Sequence, residues 1–209
     1  MNALAMSGFR ITGNLNEGIG DAAPGSPTAG QSGLPTVEGA VGQVGVNVFF
    51  SAADLVNYCN TSKTNNVLGS GWYKYVQFAT SWSATLALGQ ALWYDTVAHM
   101  LAGIVTADAT AVSIFAGIAL YSTTTKGNYW WIQTSGVCWC IGQATITDKT
   151  AGNILFVTDG THSTFDAVAD STDYNTTALK DKLEMGVWLD APADAALKRA
   201  LVYQRAMFQ

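Results

Sequence analysis

Short apolar runs separated by turn-forming residues dominate the chain from residue 67 onward. Residues 72–78 alternate as a strand does, with one face formed by Trp72, Lys74, Val76 and Phe78 and the other by Tyr73, Tyr75 and Gln77. Further strands are predicted at residues 86–92, 112–121, 129–133, 137–143, 154–158, 184–189 and 200–208. The pattern predicts an all-β fold, a barrel or sandwich of mainly antiparallel strands.

Polar segments between these runs predict the connections. Residues 123–128 and 134–136 are typical of hairpin turns, and residues 51–58 predict one or two helical turns capped by Ser51. A short pattern also recurs: Gly89-Gln-Ala-Leu92 with Gly117-Ile-Ala-Leu120 is similar to Gly152-Asn-Ile-Leu155 with Gly186-Val-Trp-Leu189. Chance recurrence and duplication both explain this pattern, and duplication predicts two similar β units rather than a solenoid.

Residues 1–50 differ from the β domain predicted over residues 51–209. They hold ten of the 21 glycines and three of the four prolines, without Trp or Tyr. Such a composition prevents helices and central strands, and predicts an extended, largely irregular arm. Its apolar side chains Phe9, Ile11, Phe49 and Phe50 are unusual for a solvated linker, so they are candidate partner-binding residues.

The amino-acid composition argues against several classes of protein. Charged residues make up 12% of the chain, about half the usual share, which argues against a helical bundle with charged outer faces. The chain has ten basic and fifteen acidic residues, so it lacks the excess of positive charge that is typical of a nucleic-acid-binding protein. The most apolar stretch, residues 100–121, contains Asp108 and is predicted to be two β segments around a polar turn rather than a membrane span. So few charges leave a weakly polar surface, which predicts a protein that works in an assembly.

The cysteines and histidines do not predict a metal or cofactor site. Cys138 and Cys140 are expected to point to one face of a strand as small buried side chains, and with Cys59 they make an odd number that excludes a complete disulfide framework. His99 is expected to be a core or interface residue and His162 a solvated loop residue. The first ten residues lack the basic and apolar segments of an export signal, and the free thiols suit synthesis in a reducing compartment such as the cytoplasm.

Catalytic signatures are also scarce, and we expect no catalytic residues. The late acidic residues are expected to form a solvated loop region; they are Asp159, Asp166, Asp170, Asp173, Asp181, Glu184, Asp190 and Asp194. Paired carboxylates for glycoside hydrolysis stay an open alternative, since one sequence cannot show their separation. Trp130 and Trp131 are adjacent in a predicted strand, so at most one points outward and the other is expected in the core or an interface.

Four segments resemble virion structural proteins of tailed bacteriophages, in particular capsid decoration (cement) proteins. These segments are Gly117-Ile-Ala-Leu120, Lys126-Gly-Asn-Tyr-Trp-Trp-Ile-Gln-Thr-Ser-Gly-Val137, Ala151-Gly-Asn-Ile-Leu155 and Gly186-Val-Trp-Leu-Asp-Ala-Pro192. The resemblance covers residues 115–208, with a looser similarity over residues 72–97. The sequence departs from the family pattern at Trp188, where a small residue is usual, and in the long insert 159–183.

The resemblance implies a β module on the outside of a phage head, which stabilises the shell by binding the major capsid protein. It also implies self-association, with trimers common, clamping by extended termini, and no cofactor. The alternative is a head-fibre or spike-like β module that binds host-surface glycan through exposed Trp or Tyr; a polysaccharide-degrading enzyme ranks third.

Overall fold

The computed structural model describes residues 11–12, 36–37, 44–45, 47–52, 68–80, 86–107, 114–120, 122, 127, 129–146, 148–157, 163–168 and 184–203. The helix among them is α1 (Val97–Ala102). The strands are β1 (Ile11–Thr12), β2 (Thr36–Val37), β3 (Asn47–Phe50), β4 (Gly71–Phe78), β5 (Ala91–Tyr94), β6 (Ile104–Val105), β7 (Ile114–Ala119), β8 (Tyr129–Ile141), β9 (Ile154–Val157), β10 (Phe165–Val168), β11 (Glu184–Trp188) and β12 (Leu197–Val202).

The predicted β fold is confirmed. Strands β3 to β12 belong to one hydrogen-bonded sheet whose main path runs β10-β9-β11-β12-β8-β4-β3, while β1 and β2 pair separately. The ladders are antiparallel except for β4 with β6. The alternation predicted for β4 is also present, since Val76 and Phe78 join one buried cluster while Tyr75 packs on Trp131 on the opposite side.

The first half of this sheet closes into a small barrel, which we call barrel 1. Its strands pair in the order β4-β8-β7-β5. Strand β6 closes the ring, because it runs parallel to the end of β4 and because Trp93 of β5 and Thr106 exchange backbone hydrogen bonds of 2.8 and 2.9 Å. The Ala79 N–H also donates to the Val105 carbonyl at 2.8 Å.

The second half closes in the same way, and we call it barrel 2. Its strands pair in the order β8-β12-β11-β9-β10. Strand β10 returns to the end of β8, where Gly142 and Phe165 form a parallel bridge and the Gln143 N–H donates to the Phe165 carbonyl at 2.8 Å. Strand β8 therefore belongs to both barrels.

The hairpin turn predicted at residues 134–136 is wrong, because β8 runs unbroken from Tyr129 to Ile141. Its first part pairs with β4 and its second part with β12, and Gly136 lies opposite Gly71 on one edge and Val202 on the other. Gly136 has φ +102°, and a Cβ there would lie 2.6 Å from the Ser70 carbonyl oxygen. Gly136 thus lets β8 continue from its ladder with β4 to its ladder with β12 where the neighbouring backbone leaves no room for a Cβ, and it does not reverse the chain.

The recurrent glycine pattern corresponds to a structural repeat. Leu92 lies opposite Gly117 in the β5–β7 ladder, and Leu155 lies opposite Gly186 in the β9–β11 ladder. Each ladder shifts register at the residue before that glycine. Position by position, the two ladders have the same register.

The turns that lead into these ladders agree as well. The Gly89 N–H donates to the Ala119 carbonyl at 2.9 Å, and the Gly152 N–H donates to the Trp188 carbonyl at 2.8 Å. Both donors have positive φ, +81° and +92°, as their turns require. Duplication therefore describes the fold: two barrels of equal topology are joined through β8.

Other predicted boundaries differ from the structure. Residues 87–90 form a turn and the strand begins only at Ala91, while β12 begins at Leu197, earlier than predicted. The apolar stretch predicted as two β segments does contain two strands, β6 and β7, but it begins within helix α1. Thr96 caps this helix by accepting a hydrogen bond of 3.0 Å from the His99 N–H, and Gly103 ends it with φ +65°. Most of the predicted helical turns at 51–58 and of the hairpin turn at 123–128 lie outside the described residues.

The predicted division at residue 50 cuts through the sheet. Strand β3 lies inside the predicted arm, yet it pairs along β4 with Phe50 opposite Gly71. Farther back in the arm, Ile11 pairs with Val37. The β domain therefore includes residues from Asn47 onward.

Candidate partner-binding surfaces

The four predicted partner-binding residues have different positions. Phe9 lies outside the described residues, and Ile11 lies in β1 opposite Val37. Phe49 is 48% exposed, and its ring meets the Trp72 ring edge-on with centroids 5.7 Å apart. It stays a candidate for contact with a partner.

Phe50, the next residue, belongs to the core of its own chain. It is 1% exposed and makes edge-to-face contacts with Tyr73 and Trp131, with ring centroids 5.4 and 5.7 Å apart. Its ring covers the outside of barrel 1 where β4 and β8 are adjacent. Since successive side chains of a strand point to opposite faces, Phe49 points away from this cluster. The side chain of Phe50 is thus not available to a partner.

The outside of barrel 2 carries an apolar surface that no single segment of the sequence reveals. We call it the barrel-2 face; it consists of Val137, Trp139, Ile141, Ile154, Val187, Leu189, Leu197 and Leu201. The ladders place these side chains in rows, with Val137 opposite Leu201 and Leu201 opposite Val187. Leu189 is 43% exposed and Leu197 is 37% exposed, while the others are partly buried.

An antiparallel sheet with one free face normally alternates apolar inward and polar outward residues. The segment Val137-Cys-Trp-Cys-Ile141 does not alternate, because it is apolar on both faces. This signal could have predicted a strand that is covered on both sides. The cross-strand rows could not be predicted, since they depend on the ladders of β8, β11 and β12.

Most of the corresponding positions of barrel 1 are covered. Six positions that match the barrel-2 face through the common ladder register are at most 3% exposed: Tyr73, Tyr75, Ala91, Ile118, Leu120 and Gln133. Gln77, which matches Ile141, is only partly buried, and the side chain of Tyr129, which matches Leu197, is not among the described ones. Phe50 packs over the β4 side of this surface, whereas Ala91 and Ile118 belong to the apolar cluster that fills barrel 2. Barrel 1 therefore shows what this surface looks like when it is packed.

One ion pair lies on the barrel-2 face. The Arg199 guanidinium donates to both carboxylate oxygens of Asp190, at 2.9 and 2.7 Å. Hydrogen bonding from Arg199 lowers the pKa of Asp190 to about 2. In barrel 1 the position that corresponds to Arg199 is occupied by Trp131, which is 2% exposed.

A second exposed apolar surface lies on helix α1. Val97 is 64% exposed and Leu101 is 81% exposed, and their spacing of four residues places them on the same side of the helix. We call this pair the α1 patch.

The described side chains inside the barrels are buried and not reactive. Cys138 and Cys140 are fully buried in barrel 2, as the sequence predicts, and burial raises the pKa of both thiols. In barrel 1 the Lys74 ammonium donates to the Tyr94 hydroxyl at 3.1 Å, and burial lowers the pKa of Lys74. Since a neutral thiol is a poor nucleophile, these cysteines act as apolar side chains.

His99, predicted as a core or interface residue, lies on helix α1, none of whose residues is buried, so it is not a core residue and an interface role stays a prediction. The Nδ1 atom of His99 contacts Oδ1 of Asp95, and the His99 side chain is 32% exposed. It borders a cleft of about 120 Å³ whose lining includes Gln77, Phe78 and Thr80. This volume is small against the 300–1,000 Å³ of typical ligand pockets. Cys59 and His162 lie outside the described residues.

The prediction that the late acidic residues are all solvated is wrong for Asp166. It lies in β10, is 4% exposed, and its carboxylate accepts a hydrogen bond of 2.8 Å from the Ala167 N–H. Asp194 is exposed and accepts hydrogen bonds from the Ile146 N–H and from Lys149, which lower its pKa. Asp159, Asp170, Asp173 and Asp181 lie outside the described residues.

Among the residues whose positions are described, no three His, Cys, Asp or Glu side chains converge as metal ligands would. No helix in the described part of the chain is long and apolar enough to cross a membrane. Of Trp130 and Trp131, the latter is confirmed as a core residue, and the side chain of Trp130 lies outside the description.

No protein-family model matches the chain, and no curated protein sequence matches it either.

Proposed function

We propose that this chain is a structural protein of a tailed-bacteriophage virion, a capsid decoration protein. It binds the outside of the head through the major capsid protein and stabilises the shell.

The exposed apolar surface of the β domain carries this proposal. Leu189, Leu197 and the α1 patch are exposed on a chain with only 12% charged residues. Contiguous exposed apolar surface marks sites where proteins meet other proteins. A small, rigid β module with filled interiors suits a protein that acts by covering and bridging other subunits.

The phage resemblance supports the same role. Its segments lie mainly in barrel 2 and in the shared strand β8: the Tyr-Trp-Trp-Ile-Gln segment begins β8, the Gly-Asn-Ile-Leu segment leads into β9, and the Gly-Val-Trp-Leu segment covers the end of β11. Strands β8, β9, β11 and β12 are neighbours in the sheet. The resemblance thus concerns one connected part of the fold.

The glycan-binding alternative rests on a different observation. Trp72 is partly exposed beside the exposed Phe49, and a sugar stacks on an exposed aromatic ring. Binding to a glycan array that is lost in Trp72→Ala would favour this alternative.

Co-sedimentation with phage shells that lack this protein tests the proposal. We expect full-length protein to sediment with the shells at a fixed ratio to the major capsid protein, and intact virions to contain it in many copies. We expect a truncation of residues 1–43, which leaves β3 in place, to bind more weakly, since the arm is proposed to clamp neighbouring shell subunits. Full-length protein that stays in the supernatant would overturn the proposal. Equal binding of the two forms would refute the clamp alone.

A further inference from the structure

The inference concerns the outer edge of β3, the edge that points away from β4. Strand β3 lies at one end of the main path of the sheet and pairs with β4 along its inner edge. At the other end of this path, β10 returns to β8 through the bridge between Phe165 and Gly142. Within the described residues, no strand pairs with the outer edge of β3, so the sheet is open there.

The hydrogen bonds of β4 show which residues of β3 direct their backbone groups outward. Successive residues of a strand direct their N–H and C=O groups to opposite edges. The Tyr75 carbonyl accepts from the Gly45 N–H at 2.7 Å, and the Gln77 N–H donates to the Gly103 carbonyl at 3.0 Å. The odd-numbered residues of β4 therefore direct their backbone groups to the side of β3 and β6.

The register of the β3–β4 ladder then gives the orientation of each β3 residue. Val48 lies opposite Tyr73 and Phe50 lies opposite Gly71, so Val48 and Phe50 are the residues whose backbone groups point to β4. The N–H and C=O groups of Asn47 and Phe49 consequently point to the outer edge. In the described part of the chain, no backbone group is hydrogen-bonded to them there.

An identical strand complements these donors and acceptors. In an antiparallel pairing about a two-fold axis, Val48 lies opposite Val48 of the second copy, and Asn47 of each copy lies opposite Phe49 of the other. Each Asn47–Phe49 pair exchanges two hydrogen bonds. The two positive and two negative ends of the backbone dipoles on each edge therefore all find a partner, and none is left over.

The sequence of this edge favours such pairing. Exposed edge strands are commonly protected from other strands by charged side chains or proline. Residues 44–52 contain neither, so no charge repels an approaching copy. Phe49, which is 48% exposed, would then lie between Trp72 of its own chain and Asn47 of the second copy. The short strands β1 and β2 are already paired with each other.

We propose that the outer edge of β3 is a two-fold contact with a second copy of this chain, in which the two β3 strands pair antiparallel. This contact is separate from attachment to the shell and would stand if the proposed virion function failed. Each copy contributes a strand of four residues. Because interfaces below about 1,200 Å² are typical of weak association, we expect the dimer at protein concentrations of about 100 µM.

Disulfide trapping tests the register of this contact. Val48→Cys places two cysteines directly opposite each other with Cα atoms about 4.5 Å apart, a distance that a disulfide spans. Phe49→Cys is the matched control, because its two copies lie diagonally at about 8–9 Å, beyond the reach of a disulfide. After oxidation of the full-length proteins, we expect covalent dimers of Val48→Cys on a non-reducing gel. Phe49→Cys should match the wild type, whose three native cysteines set the background.

A proline at the edge tests the hydrogen bonds. Asn47→Pro removes an outward N–H and keeps the ladder with β4, because proline is tolerated where its nitrogen faces away from the sheet. In sedimentation velocity, the wild type should approach a mass of twice 22.0 kDa. Asn47→Pro should raise the dimer dissociation constant at least about tenfold, because two of the four hydrogen bonds are lost. Asn47→Ala, which keeps the N–H, should behave as the wild type.

Several results would overturn the β3 contact. They are a wild-type mass of one or three chains at the concentration given above, equal dissociation constants for Asn47→Pro and the wild type, and cross-linking through residue 49 that is as efficient as through residue 48. Far-UV circular dichroism checks the fold of each variant, and if Asn47→Pro does not fold, the two cysteine variants decide. A monomer that still sediments with shells would overturn the contact and leave the proposed function standing.

Discussion

Phe49 and Phe50 are adjacent, identical in type and opposite in environment, so replacing each by alanine separates a core role from a surface role. Phe50 is 1% exposed and Phe49 is 48% exposed. Removing the Phe50 ring loses about 1.5–3 kcal/mol of apolar burial. Its two edge-to-face contacts, with Tyr73 and Trp131, add about 0.5–1.5 kcal/mol each. The cavity left behind brings the expected loss to about 3–5 kcal/mol.

Phe49→Ala is the matched control. It leaves no enclosed cavity and removes only the edge contact with Trp72 and half-exposed apolar surface, so we expect a loss of about 1 kcal/mol or less. The measurement is the free energy of unfolding in urea, followed by far-UV circular dichroism at fixed protein concentration. If the two variants lost the same stability, the placement of β3 against barrel 1 would be wrong. If Phe50→Ala kept its stability but lost shell binding, the original prediction that Phe50 contacts a partner would be right.

Three further predictions use single positions. Gly136→Ala should lower the free energy of unfolding in urea more than Gly152→Ala does. Both glycines have positive φ, but only at Gly136 would a Cβ meet a backbone carbonyl oxygen, at 2.6 Å. Equal losses in the two variants would show that this close contact at Gly136 does not matter. Trp131→Ala should lower the free energy of unfolding by about 3–5 kcal/mol, and an unchanged melting temperature would show that β8 is peripheral. Burial raises the thiol pKa of Cys138, with a smaller contribution from Cys140, so the folded state holds a proton that the unfolded state releases above pH about 8.5. Stability should therefore fall as pH rises above that value, by roughly 1.4 kcal/mol per pH unit for this thiol. Between pH 8 and 10, Cys138→Ala should lose less stability than the wild type, measured by urea unfolding in the presence of reductant. If the two proteins lost stability in parallel over this range, ionisation of Cys138 would not be linked to unfolding.

Prediction succeeded where the signal is local. The alternation of residues 72–78 corresponds to β4, the apolar runs near residues 154 and 184 correspond to β9 and β11, and the Cys-Trp-Cys segment does place two cysteines inside. The alternation of side chains along a strand and the apolar content of a segment depend only on neighbouring residues, so both can be read from the sequence without knowledge of the fold.

Prediction failed where the outcome depended on distant partners. Thr-Ser-Gly at residues 134–136 is typical of a turn, but Gly71 and Val202 offer ladders on both edges, so the chain continues as a strand. Asp166 sits in an acidic, polar region, yet pairing of β10 with β9 buries it. Gly71 and Val202 are each more than 60 residues from Gly136, and even the β9–β10 pairing depends on register, so local propensity cannot weigh the hydrogen bonds that these partners supply.

The sequence by itself determined that the chain folds mainly as short strands, and which residues share a face within β4 and within residues 137–141, because both follow from a two-residue period. It also contained the repeated glycine-leucine pattern, although its meaning stayed open between chance and duplication. Only the tertiary structure decided that the pattern marks two barrels joined through β8, that Phe50 packs inward while Phe49 does not, and that eight apolar side chains form the barrel-2 face. These features depend on which strands pair and in what register, and a ladder between strands 60 residues apart is set by the packing of the whole chain rather than by either strand alone.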